Sequence, residues 1–490
     1  MKGKFVLSVL CGSLFVSQST AWSLELHMQR GWNLVGVPCQ VNATTFLTPS
    51  MQNKIVVVWK AILDGDNVRW QAVSPNPQTQ QWLINHGYPS FNHINPYEGF
   101  WLYANQPFTL RVCSTNYSNN TLDWLILVYM AADNNLEDFA FRDLSEIEAV
   151  TLPSTVKVAV LVDTHEGASL YLTNENGSLQ FVRNLGYINT GSPQTLINFV
   201  RSITSMYHYR NLALILWDHG DNWRALQREN TKLVAFDENP QDILYLYELR
   251  DALRTLKNEG IHINLLGIDA CLAGSMETLY ALKDVVNDYI VASEKTEPGD
   301  GWYYTGFLRD LANNTTMSPQ NLAYSMVNSY VAFYQEHPYY CNDGCTLAAF
   351  PVRILNPLFS NFNRLISYLE TNLNQTDVYN IRLSLNDIDD AVSGVVDFKA
   401  FVSTVNRRIS NQYSINILNL LNNIYFQGVE TPSYLYGLSI TFPVNRYQIN
   451  SCYFSNSTNP CVSIYGSFYN VFTETLWDEF LNWYLNGLED

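Results

Sequence analysis

The chain has 490 residues, 47% apolar, 14% aromatic and 15% charged. That is enough apolar mass for two or three packed domains, and it excludes a disordered or fibrous chain. With 28 Lys plus Arg against 45 Asp plus Glu, the formal charge is −17, so its own field repels phosphate and excludes a coat for nucleic acid or anionic lipid. Lys2 and Lys4 precede an apolar run at residues 5–16 and the small residues Ser19-Thr20-Ala21. This reads as a cleaved signal peptide over residues 1–21, because the run is too short for the about 20 residues a bilayer needs. The expected location is secreted or periplasmic, with no membrane span after signal removal. Removal takes two lysines and no acid, and it takes Cys11.

Export permits disulfides. The seven remaining cysteines are Cys39, Cys113, Cys271, Cys341, Cys345, Cys452 and Cys461. Closeness in sequence suggests Cys341–Cys345 and Cys452–Cys461, and Cys39 and Cys113 bracket one segment; that pairing leaves Cys271 as a thiol.

Residues 24–113 read as a small all-β domain, with β-rich pieces at 32–37, 55–59 and 99–103 separated by turns at Asp64-Gly65-Asp66-Asn67 and Asn95-Pro96-Tyr97. Its Gly-Trp-Asn-Leu start and Gly-Phe-Trp finish resemble small domains attached to many exported bacterial proteins. Its tryptophans are read as core, with a carbohydrate or peptide platform as the alternative. Residues 114–121 are a polar linker. Apolar runs then alternate with helical spacing: strands at 124–130, 156–162, 212–217, 263–268 and 289–292, helices at 136–150, 196–206, 244–256 and 276–286. The pattern predicts a mostly parallel sheet covered on both faces. The catalytic core is placed at 122–312, and an α/β extension at 313–490 completes that domain, with helices at 322–333 and 358–369 and a strand at 347–352.

Ligand chemistry in such sheets lies beyond the carboxyl ends of the strands. One strand ends Trp217-Asp218-His219-Gly220 and the next Asp269-Ala270-Cys271. If these strands are neighbours, an imidazole stands beside a thiol. The helix after Cys271 would favour the thiolate, and His219 could take the thiol proton and protonate the leaving amine. Gly220, with no Cβ, and Cys271 could offer two N–H groups to an oxyanion. The His-to-Cys spacing is close to the about 50 residues seen in caspases. No Gly-x-Ser-x-Gly elbow and no His-Glu-x-x-His pair occurs, which argues against a serine hydrolase and a zinc peptidase.

These motifs, with Tyr129-Met130-Ala131-Ala132-Asp133-Asn134-Asn135-Leu136-Glu137, Leu161-Val162-Asp163, Ala292-Ser293-Glu294, Pro298-Gly299-Asp300-Gly301-Trp302 and Leu435-Tyr436-Gly437-Leu438-Ser439-Ile440-Thr441-Phe442-Pro443, resemble the clostripain family of cysteine peptidases over about residues 122–480. The resemblance implies a caspase-like three-layer α/β sandwich with His219 and Cys271 as a dyad and no third residue required. It implies cleavage after Arg or Lys, with Asp269 and Asp300 as pocket carboxylates and Glu297 as a further acidic candidate. Activation by self-cleavage is implied in the loop holding Arg224, Arg228 and Lys232. Expected partners are proteins or peptides with basic residues, not nucleic acid. No cofactor or metal is expected; calcium, needed by some relatives, is left open, as no EF-hand spacing is present. A catalytically silent caspase-like protein and an aromatic-platform binding protein are the competing readings.

Overall fold

The computed structural model describes residues 24–37, 41–64, 67–94, 99–112, 121–220, 235–341, 344–389, 392–463 and 466–488. The expected signal peptide, Cys39, Cys113, linker residues 114–120, the turn residues Gly65, Asp66, Asn95, Pro96 and Tyr97, and the loop with Arg224, Arg228 and Lys232 lie outside the described residues. The chain divides into two compact units, residues 1–120 and 121–490.

In the first unit, strands Gly31–Gly36, Gly99–Ala104, Ile55–Asp64 and Asn67–Val73 form a four-stranded antiparallel sheet in that order. A helix, Pro77–Asn85, sits among the strands; Asn76 caps it by accepting from the Gln78 and Thr79 N–H groups. One sheet face is the core, with Val58, Phe100 and Leu102 fully buried. The tryptophans are not in it, contrary to the sequence reading. Trp32, Trp70 and Trp82 are exposed, and Trp59, Trp101 and Tyr103 are half-buried. Side chains alternate across a strand, so Phe100 and Leu102 point inward and Trp101 and Tyr103 outward.

In the second unit a nine-stranded sheet carries the fold. Its strands, numbered from the start of this unit, are β1 (Leu122–Ala131), β2 (Val156–Asp163), β3 (Ala168–Thr173), β4 (Leu179–Gly186), β5 (Tyr209–Trp217), β6 (Leu265–Asp269), β7 (Tyr289–Ala292), β8 (Cys345–Pro351) and β9 (Tyr425–Val429). The spatial order is β4-β3-β2-β1-β5-β6-β7-β8-β9. The five central strands β2, β1, β5, β6 and β7 run parallel. The flanking pairs are antiparallel. Every residue of β1 and β2 is buried, as expected for parallel strands covered on both faces.

Helices α1 (Glu137–Glu148), α5 (Tyr304–Asn313) and α6 (Pro319–Glu336) pack on one face. Helices α2 (Pro193–Thr204), α3 (Leu246–Asn258), α4 (Met276–Leu282) and α7 (Leu355–Asn372) pack on the other. This is the three-layer sandwich that the sequence predicts. The 313–490 region supplies β8 and β9, so it is part of the sheet itself. Disulfides join Cys341 to Cys345 and Cys452 to Cys461, and Cys271 carries a thiol. No helix among the described residues is long and apolar enough to cross a membrane.

Candidate active site

The chain runs from β1 outward to β2, then returns to β5 on the other side of β1, so strand order reverses between β1 and β5. A crevice opens at such a switch point beyond the carboxyl ends of the strands. Residues 134–135 follow β1, 218–220 follow β5, 270–271 follow β6 and 293–297 follow β7. In register, Met130 faces Trp217 and Trp217 faces Asp269. The Asp218 N–H extends the ladder to Asp269 O at 3.3 Å. His219 and Cys271 are thereby carried on adjacent strand ends, both half-buried.

Gly220 seals this approach. A Cβ built there would lie 2.1 Å from Cys271 O and 2.7 Å from its N, so only glycine lets the His219 loop rest on the Cys271 backbone. Asp218 is buried, and its carboxylate accepts from Asn134 Nδ2 at 2.9 Å and from the Phe236 N–H. His219 Nε2 lies 2.9 Å from Asn135 Oδ1.

Cys271 sits on a turn rather than at a helix start. α4 begins only at Met276 and has seven residues, and the N–H that reaches Sγ, at 3.2 Å, belongs to Glu297. The next residue, Leu272, has φ +59°, a left-handed conformation uncommon for a branched, buried side chain. Its N–H bonds to Lys295 O at 2.8 Å. Lys295 is buried and donates to Ile388 O at 3.1 Å, beside Asp389 at 3.8 Å. Residues 435–443 brace the same turn: Ser439 N bonds to Gly274 O at 2.9 Å, and Gly437 N to Glu294 Oε1 at 2.7 Å.

Two acids, Asp269 and Glu297, belong to the segments that meet at Cys271. Asp269 is 4% exposed and accepts from Trp302 N at 3.3 Å and Tyr304 Oη at 3.0 Å. Burial pushes its carboxyl up to about 6, against the pull of hydrogen bonds from Glu297, Tyr304 and Trp302. Burial, then the neighbouring charges of Asp269 and Cys271, raises Glu297 well above the ordinary carboxyl range. The two carboxyls therefore titrate as an interacting pair rather than independently. Asp300 pairs with Arg142 of α1 at 2.7 Å. Asp143 and Glu146, also on α1, feel the charges of both Asp269 and Asp300; burial raises both, Glu146 to about 7.

The structure thus brings His219, Gly220, Cys271, Asp269 and Glu297 together and ties Asp300 to them through the 297–302 loop. Sequence reasoning missed Asn135, Asp143 and Glu146. Asp143 and Glu146 left a signal, being acids on the same helical stripe as Ala140, Leu144 and Ile147. Asn135 left only its place in the Ala-Ala-Asp-Asn-Asn segment. No cluster of His, Cys, Asp or Glu that could hold a metal occurs among the described residues.

A family model described as the clostripain family matches residues 128–484. Clostripain from Hathewaya histolytica is 26% identical over 232 residues, which is 40% of this chain and 43% of that protein. Among solved structures, a secreted C11 cysteine protease from Bacteroides thetaiotaomicron in complex with an irreversible peptide inhibitor covers 67% of this chain and 94% of its own, with TM-score 0.53 and 18% identity. An inactive zymogen C11 protease from Parabacteroides distasonis covers 66% and 92%, with TM-score 0.52 and 17% identity. At such identities the structures speak for the fold, while the family match takes in nearly all of the second unit and the strand ends where these side chains meet. The chain belongs to the clostripain family of cysteine peptidases.

Proposed function

We propose that the chain is an exported endopeptidase that cleaves after Arg or Lys through Cys271 and His219. The observation that carries this reading is the seating of the His219-Gly220 loop directly on the Cys271 backbone at neighbouring strand ends. His219 takes the thiol proton as Sγ attacks the scissile carbonyl carbon. The oxyanion that forms is met by the Gly220 and Cys271 N–H groups. Collapse breaks the C–N bond, His219 hands its proton to the leaving amine, and a thioester remains. Water, deprotonated by His219, then releases the acid and restores the thiol.

A basic side chain suits the acids of these segments. Asp269 would pair a guanidinium or ammonium, with Glu297 as a further acid beside it and Asp300 joining by exchanging its Arg142 partner for the substrate. Two disulfides support an oxidising compartment after export. Self-processing at Arg224, Arg228 or Lys232 belongs to the same proposal: intact mass measurement of wild type and Cys271→Ala should find the cut in wild type alone. A cut in both would contradict self-processing. For specificity, Asp269→Asn should lower kcat/KM for Arg and Lys substrates by about 2–4 kcal/mol of transition-state binding while sparing the reaction of Cys271 with iodoacetamide. Unchanged discrimination would remove Asp269 from the pocket.

A further inference from the structure

The contact from Asn135 bears on which nitrogen of His219 acts. An amide oxygen accepts and cannot donate, so the 2.9 Å contact of Asn135 Oδ1 with Nε2 favours the neutral ring that carries its proton on Nε2 and its lone pair on Nδ1. We propose that Asn135 is a positioning residue for peptide hydrolysis: it fixes the tautomer in which Nδ1 takes the Cys271 proton, and holds the imidazolium while the thiolate attacks. The inference rests on the reading of His219 as the base.

The asparagine is well placed for this. It follows β1, whose Met130 is in register with Trp217 of β5, so residues 134–135 and 218–219 leave paired strands side by side. Two successive asparagines hold two successive residues of the opposite loop. Asn134 is fully buried: its Nδ2 donates to Ala131 O at 2.9 Å, Asp218 Oδ1 at 2.9 Å and Phe236 O at 3.3 Å, and its Oδ1 accepts from Leu136 N at 2.9 Å. That fixes the backbone on both sides of Asn135 and the residue before His219. Asn135 itself is exposed, so its bond to the ring adds little to folding stability, and its effect falls on the reaction. A neutral amide also suits the setting. It orients the ring without placing another anion near a sulfur whose charge already acts on Glu297, whereas an aspartate would stabilise the imidazolium and raise the pH at which it deprotonates.

The test uses the full chain and its Asn135→Ala, Asn135→Asp and His219→Ala variants, with kcat and KM on an Arg-containing fluorogenic peptide, pH profiles of turnover and of Cys271 alkylation by iodoacetamide, and thermal unfolding. Asn135→Ala should lose about ten- to a hundredfold in kcat, part of the about 10²–10⁴ that a positioned general base contributes, with KM and unfolding temperature unchanged. Asn135→Asp should recover part of that loss and move the imidazole limb of both profiles to higher pH. Wild-type kcat in Asn135→Ala, or a loss with the limb unmoved in Asn135→Asp, overturns the proposal. His219→Ala separates the two readings. Full turnover by that variant removes the base itself, while an inactive His219→Ala beside a fully active Asn135→Ala removes only Asn135.

Discussion

Gly220 and Leu272 show how closely the site depends on single backbone positions. Alanine at 220 places a methyl 2.1 Å from Cys271 O, so the two loops must part. Gly220→Ala should fold, because residue 220 lies at the half-exposed rim, and lose at least about 100-fold in kcat/KM, as expected when reacting groups are displaced by an ångström. Near wild-type turnover would show that this contact does not set the geometry. Leu272 packs against Ile388, Val392, Val395 and Leu435 while holding φ +59°. Removing its side chain should cost about 2–5 kcal/mol. At an ordinary position glycine costs more than alanine. Here Leu272→Gly should be the more stable of the two by about 1 kcal/mol, read as the difference in urea unfolding. The reverse order would mean that the left-handed backbone at 272 is not retained in solution.

At the scale of elements, the loop after β7 is the hub. Its Lys295 O holds Leu272 N, its Lys295 Nζ reaches residues 388–389, and its Glu297 N–H reaches the sulfur. Lys295→Met removes one partner of a buried pair and should cost about 3–5 kcal/mol, with faster proteolysis near 388–397. Unchanged stability would show that the clamp contributes nothing. The central strands were legible because long apolar runs bounded by turns have few other uses. The hairpin of β3 and β4 was not, since β4 is largely exposed and carries no buried periodicity. In Gly99-Phe100-Trp101-Leu102-Tyr103 both alternating sets are apolar, so the pattern alone could not say which face is core. His219 and Cys271 could be read from strand-end position. Asn135 could not, because its partner is fixed by the register of β1 against β5, which lies in the pairing and not in either segment.

Across the whole molecule, burial raises several carboxyls: Asp269 to about 6, Glu146 and Asp397 to about 7, and Asp163 to about 8. In the unfolded chain these groups titrate near 4. The folded state therefore binds more protons than the unfolded state above that pH, and stability falls as pH rises through 6 to 8. The unfolding temperature should be higher at pH 5.5 than at pH 8.5; a rise across this range would contradict the proton count. The acidic total that excludes nucleic acid in the sequence thus carries a further consequence, as several of its carboxyls are buried and hold their protons to higher pH than exposed ones. The most direct test of the central claim is a fluorogenic panel varying the residue before the scissile bond, run on wild type and Cys271→Ala. Turnover confined to Arg and Lys, and abolished in Cys271→Ala, is the predicted result; equal turnover by both proteins would contradict it.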